Sequence, residues 1–146
     1  STRLATLFPY TTLFRSATDS ERAFCFILDH LARRWPRRMP ALPVLCAALR
    51  RITAAIAPYG KFNYLLGNER LLCAYCATSL HYLVRTAPFP VAHLADTDMS
   101  VDFSRVTTSK DRVAVIATQP LTDNERWTAL RPGTLAVFTN GARRRP

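Results

Sequence analysis

Lys61–Arg85 reads KFNYLLGNERLLCAYCATSLHYLVR, and this stretch decides the fold. Runs rich in Tyr, Phe, Leu and Val, broken by turn residues, are the signature of short strands. Lys61–Leu66 forms the first run, Gly67-Asn68-Glu69 a turn, Arg70–Ala77 the second run and Ser79–Arg85 the third. The expectation is three antiparallel strands. Upstream the period changes. Leu45, Leu49, Ile52 and Ile56 recur at helical spacing until Pro58-Tyr59-Gly60 stops them. Before the Pro36, Pro40 and Pro43 punctuation, Phe24, Ile27, Leu28 and Leu31 make another apolar helical face. Thr18-Asp19-Ser20-Glu21 has capping-box spacing at its start, and Arg33 and Arg34 suit the negative end of its dipole. The predicted helix runs from about Ser20 to Arg34. Downstream, Thr86–Lys110 is irregular, Asp111–Thr118 and Thr134–Thr139 read as buried strands, and Pro120–Pro132 reads as a turn-rich connection. Helices followed by strands predict an α+β layered domain.

The chain has 146 residues, 49% of them hydrophobic, enough for one core and no more than one domain. Its longest apolar stretches, Leu71–Ala77 and the Pro-broken Ala41–Leu49, fall well short of the ~20 residues that span a bilayer. The formal charge is +10, and all the basic residues except Lys61 and Lys110 are arginine. Such an excess permits contact with anionic surfaces without indicating a fold. Ser1–Ser16 (STRLATLFPYTTLFRS) stands apart, with no acidic residue and no clean period. Its composition is compatible with a mitochondrial transit peptide, but PYTTLFRS resembles translated sequencing-adapter read-through, and 1–16 is set aside as non-native.

Cys73 and Cys76 form a C-x-x-C pair. In a strand their odd separation sends them to opposite faces, and no second pair completes a zinc set, so reduced structural cysteine is expected. Arg33, Arg34, Arg37, Arg38, Arg50 and Arg51 make a dense basic stretch. A solvated helix end explains it, since no nucleic-acid module or aromatic stacking array accompanies it; a nucleic-acid-binding module using Arg33–Arg51 is the alternative. His30, His81 and His93 are too scattered for a catalytic set. Asp96, Asp98 and Asp102 lack the glycine and terminal Glu of an EF-hand.

Several segments in order, Thr18–Cys25, Phe62–Leu66, Ser79–Tyr82, Val101–Ser104 and Ala117–Trp127, together resemble the class II glutamine amidotransferases, especially their stand-alone bacterial branch. The likeness runs from about residue 17 to Gly141 and rests on the ordered set. It implies the N-terminal-nucleophile hydrolase fold, a four-layer αββα sandwich of which this chain would be a part. It also implies attack on glutamine or a related γ-glutamyl amide by an N-terminal cysteine whose α-amino group is the base, through a thioester. No cofactor and no metal are implied. Asp19 matches the Asp of the family's T-D-S-E-like motif, which binds the substrate α-amino group.

The departures are specific. Cys25, Cys46, Cys73 and Cys76 are internal, and none has a free α-amino group. The family's substrate-gripping Arg and Asn-Gly oxyanion pair precede the motif, whereas Asn140-Gly141 here follows it. Gly67-Asn68-Glu69 replaces the more usual Asp-Gly ending of the hairpin. The expectation is a C-terminal part of the amidotransferase domain at 17–141, followed by a basic tail at 142–146 and inactive as written. A cytoplasmic setting without membrane association is expected; oligomeric state stays open.

Overall fold

The structure is a computed structural model that describes residues 19–103 and 107–145. Two helices open it, α1 (Asp19–Arg34) and α2 (Leu42–Ile56), the second running into a 3-10 turn at Ala57–Tyr59. The strands are β1 (Tyr64–Gly67), β2 (Leu72–Cys76), β3 (Leu80–Thr86), β4 (Ala92–His93), β5 (Ser100–Val101), β6 (Arg112–Ala117), β7 (Thr128–Leu130), β8 (Thr134–Thr139) and β9 (Ala142–Arg144). One antiparallel sheet has the order β1-β2-β8-β9, a second β6-β3-β7, and β4 and β5 form a small ladder.

The helices form because their apolar residues fall on one face. Ile27, Leu28 and Leu31 of α1 and Leu45, Cys46, Leu49 and Thr53 of α2 are buried. Asp19 and Glu21 lie in the first turn of α1 and Arg33 and Arg34 in its last, each suited to the dipole there. Thr18, the proposed capping residue, lies outside the described residues, as do 1–16. Pro43 sits in the first turn of α2, where its missing N–H has no intrahelical partner to lose. Leu42–Tyr59 is long and apolar enough to cross a membrane. Its inward face nevertheless packs into the core, and Arg50 and Arg51 occupy its middle, as in a core helix of a layered domain.

The central strands of the four-stranded sheet are covered on both faces, which explains why β2 (LCAYC) and β8 (TLAVFT) are almost continuously apolar. Tyr64, Leu66, Cys73, Leu135 and Val137 pack against the helices. Ala74, Cys76, Ala136 and Phe138 pack against Leu80 and Leu130 of the second sheet. Cys73 and Cys76 therefore do face opposite ways, each completely buried in a different core. Helix layer, sheet, sheet is the order of the described residues. The mixed helix and antiparallel-sheet class expected from the sequence is the class observed.

Four details differ from the sequence expectation. The third run does not pair with the second: β2 pairs with β8, and β3 crosses to the second sheet, between β6 and β7. Asn63 makes that crossing. Its Oδ1 accepts from the amides of Ala77 (2.8 Å) and Thr78 (3.1 Å), and its Nδ2 donates to Thr78 Oγ1 (3.1 Å) and the Ser79 carbonyl (3.0 Å). The chain is folded over at Ala77–Ser79 with its backbone polar groups satisfied. Second, Gly67 belongs to β1, opposite Leu72, and the turn begins at Asn68, whose Oδ1 accepts from the amides of Arg70 and Leu71. Third, the turn-rich connection contains β7. Fourth, Ala142–Arg144, read as part of a tail, is an edge strand paired with β8 through Asn140 (φ 48°) and Gly141 (φ 68°). Asn-Gly with both residues at positive φ is the two-residue turn that suits the twist of a hairpin.

Candidate functional site

Asp19 opens α1, exposed to solvent. The first turns of α1 run beside the end of α2. Together they bound a groove of about 490 Å³ whose polar lining includes Asp19, Arg22 and Lys61 and whose apolar lining includes Phe26, Tyr59 and Phe62. The carboxylate is thus free of core contacts at the positive end of a helix, beside cationic and aromatic side chains. That arrangement suits a small ligand carrying both an ammonium and a carboxylate group.

A larger groove of about 770 Å³ is lined by α1 at Glu21, Phe24, Cys25 and Leu28, by the β1–β2 hairpin, and by Arg112–Ala114 and Phe138–Gly141. Cys25 is exposed. The other three thiols are sealed. Burial pushes Cys73 up to about 12 and also raises Cys46, so neither forms a thiolate at neutral pH. Cys76 is fully buried, its Sγ 3.5 Å from the Leu130 carbonyl. Tyr64 stacks on Tyr75 and shares a buried hydrogen bond with Thr53 (2.9 Å). Burial carries its phenol to about 12, leaving it a packing group.

The Thr122–Trp127 segment, part of the ordered resemblance, folds into a structural latch. Arg85 donates from Nε and Nη2 to the two oxygens of Glu125, at 2.6 Å each. Both side chains are nearly buried, at 13% and 8% exposure. Thr122 Oγ1 donates to Glu125 (2.7 Å) and accepts from Trp127 Nε1 (2.9 Å), while Arg85 lies over the Phe103 ring. The Arg85 hydrogen bonds hold the Glu125 carboxyl below the usual range. Nothing in the spacing of residues 85 and 125 announces this pair in sequence.

His93 is the other cluster that sequence spacing hides. Its Nδ1 lies 2.9 Å from both carboxylate oxygens of Asp123 and its Nε2 3.5 Å from Asp98, and its amide donates to Asn124 (2.9 Å). The contact to Asp123, then that to Asp98, raises its pKa above the ordinary histidine value. His81 Nδ1 donates to the Thr118 carbonyl (3.2 Å), and His30 Nδ1 donates to the Phe26 carbonyl (3.0 Å) in its own helix. Among the described residues, Asp96, Asp98 and Asp102 do not come together with other ligating side chains as a metal site. Arg33, Arg34, Arg37, Arg38, Arg50 and Arg51 are all exposed, Arg33 pairing with Asp29 within α1.

Comparison with known proteins gives these features a context. The family model for class II glutamine amidotransferases matches residues 11–145. An Escherichia coli protein named "Putative glutamine amidotransferase YafJ" is 44% identical over 126 residues, which cover 86% of this chain and 49% of that protein. A Haemophilus influenzae protein of the same description is 40% identical over 125 residues, covering 86% of this chain and 42% of its own length. The chain therefore spans about half the length of these relatives or somewhat less. The crystal structure of a predicted glutamine amidotransferase from Pseudomonas aeruginosa superposes with a TM-score of 0.75 at 39% identity, covering 90% of this chain and 52% of that one. These matches lend no support to a nucleic-acid role for Arg33–Arg51. With its family model matched from residue 11 to 145 and its layers superposing on a solved relative, the chain belongs to the class II glutamine amidotransferases.

Proposed function

We propose that this chain is the C-terminal part of an enzyme that hydrolyses the side-chain amide of glutamine, or another γ-glutamyl amide, and that Asp19 receives the substrate's α-ammonium group. The observation that carries this reading is the position of Asp19: an exposed carboxylate in the first turn of α1, on a groove that also presents Arg22 and Lys61. The family membership gives that position its meaning.

The chemistry needs a nucleophile that the 146 residues do not supply. Attack on an amide carbon by a cysteine whose own α-amino group takes the proton requires that cysteine to begin a chain. Cys25, Cys46, Cys73 and Cys76 are joined through peptide bonds on both sides. The tetrahedral oxyanion then needs preorganised donors, and Asn140-Gly141 is committed to the β8–β9 turn. In this reading the nucleophile and oxyanion donors belong to polypeptide outside 17–141. The intact enzyme has the N-terminal-nucleophile hydrolase fold and works in the reducing cytoplasm, where the four thiols stay free.

The test is glutamate release from glutamine by the 146-residue chain, alone and joined to an upstream half that begins with cysteine. The chain alone should be inactive and the joined form active. In the joined form, Asp19→Asn should raise KM about tenfold or more, the scale of a lost charge-assisted hydrogen bond. Equal activity of the two forms, or an unchanged KM for Asp19→Asn, refutes the proposal.

A further inference from the structure

The β4–β5 hairpin and the loop preceding β7 meet along a seam, bridged antiparallel at Leu94 and Thr122. Four backbone or side-chain bonds cross or brace it. The Ala95 amide donates to the Leu121 carbonyl (2.9 Å), the Asp123 amide to the His93 carbonyl (3.2 Å), the His93 amide to Asn124 Oδ1 (2.9 Å), and Asn124 Nδ2 to the Val91 carbonyl (2.8 Å). At the centre of the seam stands the His93 ring, with Asp123 of the loop at one nitrogen and Asp98 of its own hairpin at the other.

A neutral imidazole has one N–H, so it can donate to one carboxylate and must turn a lone pair toward the other. Only the imidazolium donates to both. We propose that His93 is a proton-operated clasp, closed while the imidazolium bridges Asp98 and Asp123, and loosened when the ring loses a proton so that the β4–β5 hairpin detaches more readily from the 121–125 loop. The charged groups facing the ring are Asp98 from the hairpin and Asp123 from the loop. Asn124 contributes a neutral amide, and Glu125, two residues on from Asp123, is held by Arg85. The sign follows from the two carboxylates. They favour the charged ring in the folded state, so the closing contribution is complete below the free histidine value of about 6.5 and is lost as pH rises through the higher folded value. The clasp is a property of the seam and does not depend on the proposed amide hydrolysis.

The experiment is amide hydrogen exchange by NMR on the 146-residue chain between about pH 5 and pH 9, expressed as protection factors so that intrinsic base catalysis is removed. Protection of the Ala95 and Asp123 amides, whose hydrogen bonds cross the seam, should fall about two- to fivefold across that range, with a midpoint above about 6.5, the scale of an exposed charge pair. The β3–β6 amides should stay flat. His93→Gln retains a donor but cannot titrate and should abolish the pH dependence, and Asp123→Asn should flatten it. A flat wild-type profile, or an unchanged slope in His93→Gln, overturns the clasp.

Discussion

Replacing Gly141 by alanine tests how the β8–β9 hairpin locks the two sheets together, and Gly133 provides the control. Gly141 has φ 68° and Gly133 φ 86°, so each alanine acquires a backbone conformation that L residues rarely adopt. That strain costs roughly 1–2 kcal/mol at either position. Both substitutions also restrict the unfolded chain alike, an effect of a few tenths of a kcal/mol to about 1 kcal/mol that cancels in their difference. Their surroundings differ sharply. A Cβ on Gly133 meets nothing, whereas one on Gly141 collides with the Arg112 carbonyl group and the Val113 amide nitrogen of β6. Those are backbone atoms of a paired strand and cannot rotate aside. Relief requires the hairpin to move off β6, breaking the bond from Arg112 Nε to the Asn140 carbonyl. Overpacking of this kind adds about 1–3 kcal/mol. With the unfolded-chain effect subtracted from each, Gly133→Ala should lose about 0–1.5 kcal/mol and Gly141→Ala about 1–4.5 kcal/mol. Urea unfolding at 25 °C followed by circular dichroism gives both values, the slope reporting whether unfolding exposes the same surface. Equal losses in the two variants would refute the close approach of β6 to this turn.

Leu49 is completely buried between α2 and the first sheet, so Leu49→Ala should cost about 2–5 kcal/mol in the same unfolding assay. Glu125→Ala leaves Arg85 nearly buried without its bidentate partner and should lose about 3–5 kcal/mol, much less if Arg85 is replaced by Met at the same time; a double-mutant cycle measures the coupling. Because Glu125 has a depressed folded pKa, its contribution is present above the unfolded value of about 4.3 and is lost as pH falls through the folded one, which the pH dependence of wild-type unfolding minus that of Glu125→Gln should display. Alkylation at neutral pH followed by peptide mapping should modify Cys25 in the folded chain and leave Cys46, Cys73 and Cys76 protected until urea is added.

Elements whose signals are local can be read from the residues alone. α1 and α2 follow from three- and four-residue apolar spacing, and β2, β3, β6 and β8 from dense apolar runs, because burial of one stripe or face is written into consecutive residues. The opposite facing of Cys73 and Cys76 follows from strand geometry alone. The arginines of 142–146 read as a solvated tail, so β9 and its Asn140-Gly141 turn emerge only in the structure. β7 was missed because three residues among turn formers carry no period.

Tertiary structure decided what pairs with what. An apolar run fits a sheet buried on both faces without specifying its neighbours, so β3 was legible as a strand but its transfer to the second sheet was not. That transfer depends on the Asn63 amide reaching across to Ala77–Ser79, a contact between residues far apart in the chain. The Arg85–Glu125 pair and the His93 seam arise in the same way, from groups forty and thirty positions apart brought together by sheet order. Resemblance singles out Asp19; only the fold shows that it is exposed at a helix start and lines a groove together with Arg22 and Lys61.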